Sequence, residues 1–301
     1  MNNQVENQLK EIIKKGLLKV GEPMKLHTTF RIGGKADYYV EPVYEEVKPL
    51  FSFLMENNIP YTLIGNGSNL LVSDEGIEGV VVSFGTNLSE IELDGNMICA
   101  QAGILLSRLG AFALEHSLAG LEFASGIPGT LGGAISMNAG AYGGEMKDVV
   151  RFVTVLEKGE VKRYSGNEME FSYRHSRILG SDSIVLSVEM ELKEGNPSEI
   201  QGLMKELNQR RVDKQPLNFP SAGSTFKRPE GYFAGKLIED AGLKGYTVGG
   251  AQVSEKHSGF VINIGGATSK DVCQLISDVQ RIVKEKFDVE LEPEVRLIGR
   301  F

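Results

Sequence analysis

The segment FASGIPGTLGGAISMNAGAYGG, Phe123 to Gly144, runs for 22 residues without a charged side chain. By length alone it could cross a bilayer as a helix. Seven of the 22 residues are glycine, and Pro128, Asn138 and several hydroxyls interrupt the rest. It therefore reads as a buried or ligand-facing loop system and not as a membrane span. Glycine at this density loses backbone entropy on folding, so foldability alone does not favour it. Two explanations remain: close backbone approach to a large planar or diphosphate-bearing ligand, or a sharp chain crossing in a tightly packed core.

A second glycine-rich stretch lies upstream, Gly65-Asn66-Gly67-Ser68-Asn69-Leu70, directly after a strand-like Tyr61 to Ile64. Successive small residues let backbone N–H groups converge on a phosphate without side-chain obstruction. The stretch begins like a dinucleotide-binding GxGxxG but places Leu70 at the third glycine, and strand and turn follow it where that motif needs a helix. The alternative is a tight surface turn, and only context decides between them.

The composition agrees with a soluble two-domain protein. There are 301 residues, and 32 basic against 40 acidic side chains leave a net charge of −8. At roughly 150 residues per domain the length suggests about two domains, with no need for disulfides or structural metal. An acidic chain is a poor candidate for nucleic-acid or anionic-membrane binding through bulk charge. Glycine, 36 of 301, exceeds its usual share of about 7%. Two separated cysteines, Cys99 and Cys273, and four scattered histidines form no disulfide framework or zinc motif. The N-terminal residues lack a basic segment followed by an apolar run, so no secretory signal is expected and the location is taken as cytoplasmic.

Outward from the glycine-rich segments, periodicity gives the elements. Apolar residues at helical spacing predict an amphipathic helix over Val5 to Leu18. Ala36 to Val40, Tyr61 to Ile64 and Val80 to Phe84 read as strands around a helix from about Tyr44 to Asn58. A strand Met97 to Ala102 precedes a helix from about Leu105 to Ser117. Val149 to Leu156 and Val161 to Tyr164 form a hairpin across Glu157-Lys158-Gly159-Glu160, and Ser183 to Leu192 alternates as a half-buried strand. Helices are placed at Pro197 to Arg211, capped by Asn196 or Ser198, at about Tyr232 to Ala241, and at Ser269 to Phe287. Phe260 to Asn263, Val289 to Leu291 and Val295 to Ile298 complete the extended segments.

Three further segments carry candidate chemistry. Phe171-Ser172-Tyr173-Arg174-His175-Ser176-Arg177 sets two arginines beside a tyrosine, and a guanidinium fork suits carboxylate or phosphate. Either arginine could equally be a surface charge with its stem packed on a sheet. Between Lys205 and Arg228 the cations Lys205, Arg210, Arg211, Lys214, Lys227 and Arg228 outnumber Glu206 and Asp213, which makes this the candidate anion site of an acidic chain; a solvated helix face would account for Lys205 and Arg210 but less readily for Lys214, Lys227 and Arg228. The same region holds Ser221-Ala222-Gly223-Ser224-Thr225, whose hydroxyls can cap, donate to a ligand or turn the chain. Last, Leu291-Glu292-Pro293-Glu294-Val295-Arg296 puts two carboxylates around a proline. A glutamate in a mostly apolar strand needs a partner or a function.

Taken in order, Thr29-Phe30-Arg31-Ile32-Gly33-Gly34, Gly65-Asn66-Gly67-Ser68-Asn69-Leu70, Gly126-Ile127-Pro128-Gly129, Tyr173-Arg174, Gly223-Ser224 and Glu292-Pro293-Glu294-Val295-Arg296 resemble the UDP-N-acetylenolpyruvoylglucosamine reductase (MurB) family over nearly the whole chain. The resemblance implies an α+β fold: the FAD-binding fold of the vanillyl-alcohol-oxidase-like type plus a C-terminal α+β substrate domain. The expected divisions are an FAD-holding subdomain over residues 1–87, a second over 88–200 joined by 290–301, and a substrate-binding domain over 201–289. Two glycine-rich loops would hold the FAD: Gly65, Asn66, Gly67, Ser68, Asn69 and Leu70 in one, and Gly126, Ile127, Pro128, Gly129, Gly132, Gly133, Ala139 and Gly140 in the other. No histidine occurs in Gly65 to Leu71, so the FAD is expected to be noncovalent, and no metal is expected.

The resemblance further implies a reaction in two halves. NADPH reduces FAD, and hydride then passes from flavin N5 to C3 of an enolpyruvyl group, giving UDP-N-acetylmuramate for peptidoglycan precursor synthesis. By motif correspondence Ser224 is the proton donor to C2, while Arg174 and Glu294 polarise the substrate carboxylate and stabilise the enolate-like intermediate. Glu294 is expected to be protonated or water-linked when it acts. A serine is a weak acid, so its alkoxide needs a cation, with the cluster around Lys214 and Lys227 as the expected source. Tyr173, Arg211, Lys214, Gly223 and Arg228 are the substrate-binding candidates, with Arg211, Lys214 and Arg228 facing the diphosphate. Some members carry an extra tyrosine loop. Between Arg177 and Leu192 there is no room for it, so the chain resembles the shorter branch. The rival readings are another FAD oxidoreductase of this fold, such as an alcohol or hydroxy-acid oxidase, and a flavin- or nucleotide-binding module without catalysis.

Overall fold

The structure is a computed structural model that describes residues 3–301. In chain order the principal elements begin with α1 (Asn3–Ile12), β1 (Leu17–Pro23), β2 (Lys35–Glu41), α2 (Tyr44–Glu56), β3 (Tyr61–Ile64), β4 (Leu70–Val72), β5 (Ile77–Ser83), β6 (Ile91–Asp94) and β7 (Met97–Gln101). There follow α3 (Leu106–Glu115), β8 (Leu118–Ala119), α4 (Leu131–Ser136), β9 (Gly140–Ala141), β10 (Gly144–Glu145), β11 (Val150–Glu157), β12 (Glu160–Ser165), β13 (Ile184–Glu191) and β14 (Lys193–Glu194). The last third holds α5 (Pro197–Lys214), β15 (Ser221–Ser224), α6 (Ala234–Asp240), β16 (Thr247–Val248), β17 (Ala251–Val253), β18 (Phe260–Asn263), α7 (Ser269–Phe287) and β19 (Arg296–Ile298). The sheets run β1-β2-β5-β3, β12-β11-β13-β7-β6 and β15-β18-β17-β16, with the two-stranded pairs β10-β9, β14-β8 and β19-β4. Among the described residues no helix is long and apolar enough to cross a membrane.

The chain divides into two compact units, one of Met1–Lys19, Tyr39–Asn66 and Val81–Arg211, the other of Val20–Tyr38, Gly67–Val80 and Val212–Phe301. The first unit contains the five-stranded antiparallel sheet. On β13 Ile184, Leu186, Val188 and Met190 are buried while Glu189 and Glu191 face outward, as the alternation predicts. Those two glutamates take Arg163, through two 2.8 Å bonds, and Arg151 at 2.7 Å. The β11–β12 hairpin closes through Lys158-Gly159, both at positive φ, which is the two-residue turn that matches strand twist. Helix α4 packs on β7 and β13 through Leu131, Ala134 and Ile135.

The second unit is built on α7 and the β15-β18-β17-β16 sheet. Helix α7 starts in a capping box, with Thr268 accepting from the Asp271 N–H and Asp271 accepting from the Thr268 N–H. It ends at Asp288 in the left-handed region. Its buried stripe is Val272, Leu275, Ile276, Val279 and Val283, at helical spacing, each contributing about 1.5–3 kcal/mol by leaving water. The stripe packs with Ala251, Val253 and Val261 of the sheet and with Leu237 and Ile238 of α6. Phe30 and Ile32, from the motif over 29–34, are part of this core, and Thr29 Oγ1 donates to the Ser221 carbonyl at 2.6 Å. That motif is a packing element of the unit.

Several boundaries differ from the sequence reading. The N-terminal helix stops at Ile12, not Leu18, because the Glu46 carboxylate accepts the N–H groups of Lys14, Lys15 and Gly16, and Leu17 opens a strand. Helix α6 begins at Ala234, after a turn in which Tyr232 N–H donates to the Pro229 carbonyl. Strand β5 begins three residues before Val80, and Val289 to Leu291 forms no strand. The C-terminal strand β19, within the segment grouped above with residues 88–200, pairs in parallel with β4. Asn196, not Ser198, supplies the acceptor at the start of α5.

Candidate active site

In the first unit the two glycine-rich loops meet. A Cβ on Gly65 would lie 2.1 Å from Thr130 Oγ1, so only glycine permits this approach. Asn66 then donates its side-chain amide to the Pro128 carbonyl at 2.8 Å. Beyond this contact the run over 126–144 divides into two kinds of glycine. Gly140 packs on its hairpin partner Glu145 and Gly144 on the Phe123 ring, both closer than a Cβ allows, and Gly132 lies against Ala102, where a Cβ would be tight at 3.0 Å. Those three answer to chain crossing. Gly133 is exposed, its nearest neighbour an ordinary 3.6 Å from a Cβ, and Gly143 has open space at the tip of the β9–β10 hairpin. Packing therefore accounts for part of the glycine content, and the open positions are what a ligand would use.

Arginine 174 sits at the tip of a two-residue turn. Ser172 and His175 exchange backbone hydrogen bonds at 3.1 and 3.2 Å around Tyr173-Arg174, and Arg174 is held at φ 54°, a conformation uncommon outside glycine, asparagine and aspartate. The turn is tied down by two side chains that the sequence did not single out. Asn138 donates to the Ser172 carbonyl at 3.0 Å and to Glu145 Oε2 at 2.9 Å, while its Oδ1 accepts from the Lys147 N–H. Ser176, fully buried, donates to the Ser136 carbonyl at 2.8 Å. Arg174 also contributes to holding the Glu145 carboxylate below its ordinary value, after the larger effect of Lys147. Tyr173 is half exposed. Arg177, by contrast, lies over the Tyr164 ring at 3.9 Å and donates to the Glu168 carbonyl, which makes it a packing residue.

Arg211, at the end of the first unit, is the least expected group. Its Nε is buried with no hydrogen-bond partner among the described residues, and burial pushes the guanidinium below its ordinary value. It lies against Gly126, where a Cβ would sit 3.1 Å from Nε and 2.4 Å from Asn208 Oδ1, and it is hydrogen-bonded to Tyr142. A half-buried cation with no carboxylate paired to it among the described residues is suited to an anion.

In the second unit Gly67 is at φ +61° with its Cα against the His27 carbonyl, and the His27 ring lies 2.8 Å from Glu22. Asn69 is pinned to the C-terminal segment: its carbonyl accepts from the Arg296 N–H and its amide donates to the Glu294 carbonyl at 3.1 Å. Ser224 is exposed by a β-bulge. Ser221 pairs with Ile262 and Ser224 with Phe260, so one extra residue stands on β15, and Gly223 at φ +77° absorbs it. The next residue, Thr225, is the hub. Its N–H donates to the Gly259 carbonyl, its Oγ1 accepts from the Val261 N–H, and its carbonyl accepts from the Glu294 N–H at 2.8 Å. Phe226 bridges Pro293 and Lys227 N–H donates to the Glu292 carbonyl, so the serine and glutamate segments lie side by side.

The basic cluster is less uniform than the sequence suggested. Lys227 is in a solvent-exposed ion pair with Glu292, which shares its charge. Arg210 pairs with Glu206 along α5. Arg228 lies over the Phe233 ring at 4.0 Å and donates Nε–H to the Tyr232 carbonyl. Lys214 is exposed at the end of α5. Cys99 and Cys273 are free, half-buried thiols whose burial pushes them up, in keeping with packing roles. Among the described residues no group of histidine, cysteine and acidic side chains is assembled to hold a metal.

The residues fit a flavin dinucleotide: two uncharged loops brought together where Gly65 meets the Thr130 side chain and Asn66 the Pro128 carbonyl, with open glycine positions beside them. Comparison with known proteins agrees. Residues 36–165 match the FAD binding domain family and residues 215–298 the UDP-N-acetylenolpyruvoylglucosamine reductase C-terminal domain family. The chain is 57% identical to the UDP-N-acetylenolpyruvoylglucosamine reductase of Caldanaerobacter subterraneus subsp. tengcongensis, over 97% of each chain. The crystal structure of that reductase from Thermus caldophilus superposes with a TM-score of 0.80 at 36% identity, covering 94% of this chain and 99% of the other. An alkyldihydroxyacetonephosphate synthase shares the fold alone, with a TM-score of 0.51 at 18% identity, covering 64% of this chain and 41% of the other. With its fold, its loops and its full-length likeness in agreement, the chain belongs to the UDP-N-acetylenolpyruvoylglucosamine reductase family of FAD-dependent oxidoreductases.

Proposed function

We propose that the chain reduces UDP-N-acetylglucosamine enolpyruvate to UDP-N-acetylmuramate with NADPH, as a cytoplasmic enzyme of peptidoglycan precursor synthesis. The observation that carries the reading is the bulge at Gly223, which exposes Ser224 in the strand bonded through Thr225 to Glu294. FAD, when bound, supplies hydride transfer from NADPH to C3 of the enolpyruvyl group. Gly65 to Leu70, together with Gly126, Ile127, Pro128, Gly129, Gly132, Gly133, Ala139 and Gly140, would hold it, noncovalently, in the subdomains over 1–87 and over 88–200 joined by 290–301, with 201–289 binding the sugar nucleotide.

The side chains have the remaining work. Hydride arrival at C3 leaves negative charge at C2, delocalised into the adjacent carboxylate. The Arg174 guanidinium binds that carboxylate as the charge develops, an electrostatic task suited to a fixed fork, and Glu294 assists in protonated form or through a water. The Ser224 hydroxyl gives its proton to C2, and the resulting alkoxide must be stabilised until it recovers a proton from solvent. Lys214 and Lys227, the latter paired with Glu292, are the candidate cations. Arg211 and Lys214 take the diphosphate, with Tyr173, Gly223 and Arg228 at the substrate surface. The test is anaerobic: NADPH bleaches the flavin absorbance, and addition of the enolpyruvyl sugar nucleotide should restore the yellow colour. A flavin that stays bleached until air is admitted would replace this substrate with that of an oxidase.

A further inference from the structure

Asn138 lies within the uncharged run and is 1% exposed, and its side chain ties its own segment to the backbone at both Lys147 and Ser172. Its amide donates to the Ser172 carbonyl at the stem of the Arg174 turn and to the Glu145 carboxylate, and its carbonyl oxygen accepts the Lys147 N–H. It adopts φ 42°, so the backbone there is bent to aim this side chain. A second hydrogen bond from the same turn, Ser176 Oγ to the Ser136 carbonyl, lands two residues away. The two clamps fix both ends of a turn whose tip, Arg174, is itself in a left-handed conformation. A two-residue tip at an unfavourable φ does not hold itself, and its side chain is placed only as well as its stem. Glu145, held by Asn138 and paired with Lys147 at 2.8 Å, presents a carboxylate toward the same guanidinium.

From this geometry we infer that Asn138 is a positioning residue for Arg174: its amide sets the turn that aims the guanidinium at the substrate carboxylate. The inference rests on the reading of Arg174 given above. It is distinct from a role in FAD binding, because Asn138 is buried and its hydrogen-bonding capacity is directed inward. Misplacing a charged group by about 1 Å is enough to lose roughly a hundredfold in rate.

The experiment is a double-mutant cycle on the FAD-loaded full chain. Asn138→Gly tolerates the positive φ while removing the amide, and Ser176→Ala removes the second clamp with little volume change. Each is measured alone and combined with Arg174→Ala, for flavin content, melting temperature, flavin reduction by NADPH, and flavin reoxidation by the enolpyruvyl sugar nucleotide. The expected result for Asn138→Gly is parental flavin content and NADPH reduction, with sugar-nucleotide reoxidation slowed by about ten- to a hundredfold. In the Arg174→Ala background the same change should add less than about threefold, because the group it positions is gone. Ser176→Ala should follow the same pattern with a smaller loss, and it decides the matter should Asn138→Gly fail to fold. Effects that multiply in the double variant, or an Asn138→Gly reoxidation rate within twofold of parent while Arg174→Ala collapses, overturn the positioning role alone. An Arg174→Ala variant that reoxidises at near-parental rate overturns the reading of Arg174, and the positioning role with it.

Discussion

The Arg174 turn and the Ser224–Glu294 segment are held in place by different means. Arg174 depends on side chains: Asn138 and Ser176, both buried, reach across to its stem. Ser224 and Glu294 depend chiefly on backbone, through the Thr225 carbonyl, the Glu294 N–H and a bulge that Gly223 permits, with the Asn69 amide adding one side-chain contact to the Glu294 carbonyl. A side-chain clamp can be deleted one atom group at a time, whereas a backbone clamp survives most substitutions and yields only where conformation itself is altered. The first region should therefore be sensitive to conservative changes at buried polar residues, and the second to changes in backbone freedom.

The largest effect should come from a residue that either arrangement exists to place. Ser224→Ala should leave the backbone of β15 intact, keep flavin content and NADPH reduction at parental levels, and slow reoxidation by the enolpyruvyl sugar nucleotide by about 10²–10⁴-fold, the range for loss of a general acid. Stopped-flow absorbance reads both halves. Reoxidation within a few-fold of parent would remove Ser224 as proton donor and leave the backbone clamp without a catalytic purpose.

Two glycines separate packing from ligand approach in the loops. Gly65→Ala drives a methyl into Thr130 Oγ1, on a β-branched and buried side chain that cannot swing away, and should destabilise the first unit by about 1–3 kcal/mol with loss of flavin. Gly133→Ala has room, and an alanine in α4 should leave the melting temperature unchanged or slightly raised. If bound flavin approaches that backbone, Gly133→Ala loses flavin affinity without losing stability. Equal flavin retention in parent and Gly133→Ala would assign the open glycine to the surface. Next in size, Gly223→Ala places a Cβ at φ +77° in open space, so its effect of about 1–2 kcal/mol is conformational. Sugar-nucleotide turnover should fall with it, since the bulge is what exposes Ser224.

The legible and illegible parts of the molecule divide along the same line. Ser269 to Phe287, Tyr61 to Ile64 and Phe260 to Asn263 were set by local periodicity and matched residue for residue. The N-terminal helix was overrun because what stops it, the Glu46 carboxylate, is thirty residues away in the chain. A motif concentrates candidate chemistry at Ser224 and Glu294, whereas Thr225, which joins their segments through its carbonyl and is itself held through its hydroxyl and N–H, carries no sequence signal, because those contacts exist only in the fold. Asn138 does carry a local signal: an amide with no charged neighbour inside a 22-residue uncharged run, once buried, must find its partners elsewhere in the fold. At Lys227 the limit is the reverse one, since nothing local reveals that Glu292, 65 residues on, pairs with it.

The smallest predicted effect is a pH dependence confined to the side-chain-held region. The Glu145 carboxylate sits below its ordinary value, chiefly through Lys147, against burial that pushes it up, with help from the Asn138 amide and the Arg174 charge. A carboxylate depressed in the folded state stabilises it above the unfolded value of about 4.3, and that contribution disappears as pH falls through the folded value. Stability of the parent should therefore decline on acidification below about pH 4.5 partly because Glu145 takes up a proton and releases Lys147 and the guanidinium. Glu145→Gln keeps an acceptor for Asn138 but has no charge to lose, so its melting temperature should start slightly lower at neutral pH and converge on that of the parent in acid. The gap should be about 1–3 °C, because Lys147 is largely solvated. The backbone contacts around Thr225 involve no titrating group, so Gly223→Ala should run parallel to the parent across the same range. Convergence of both variants, or of neither, would erase the distinction between the two ways of holding a catalytic group.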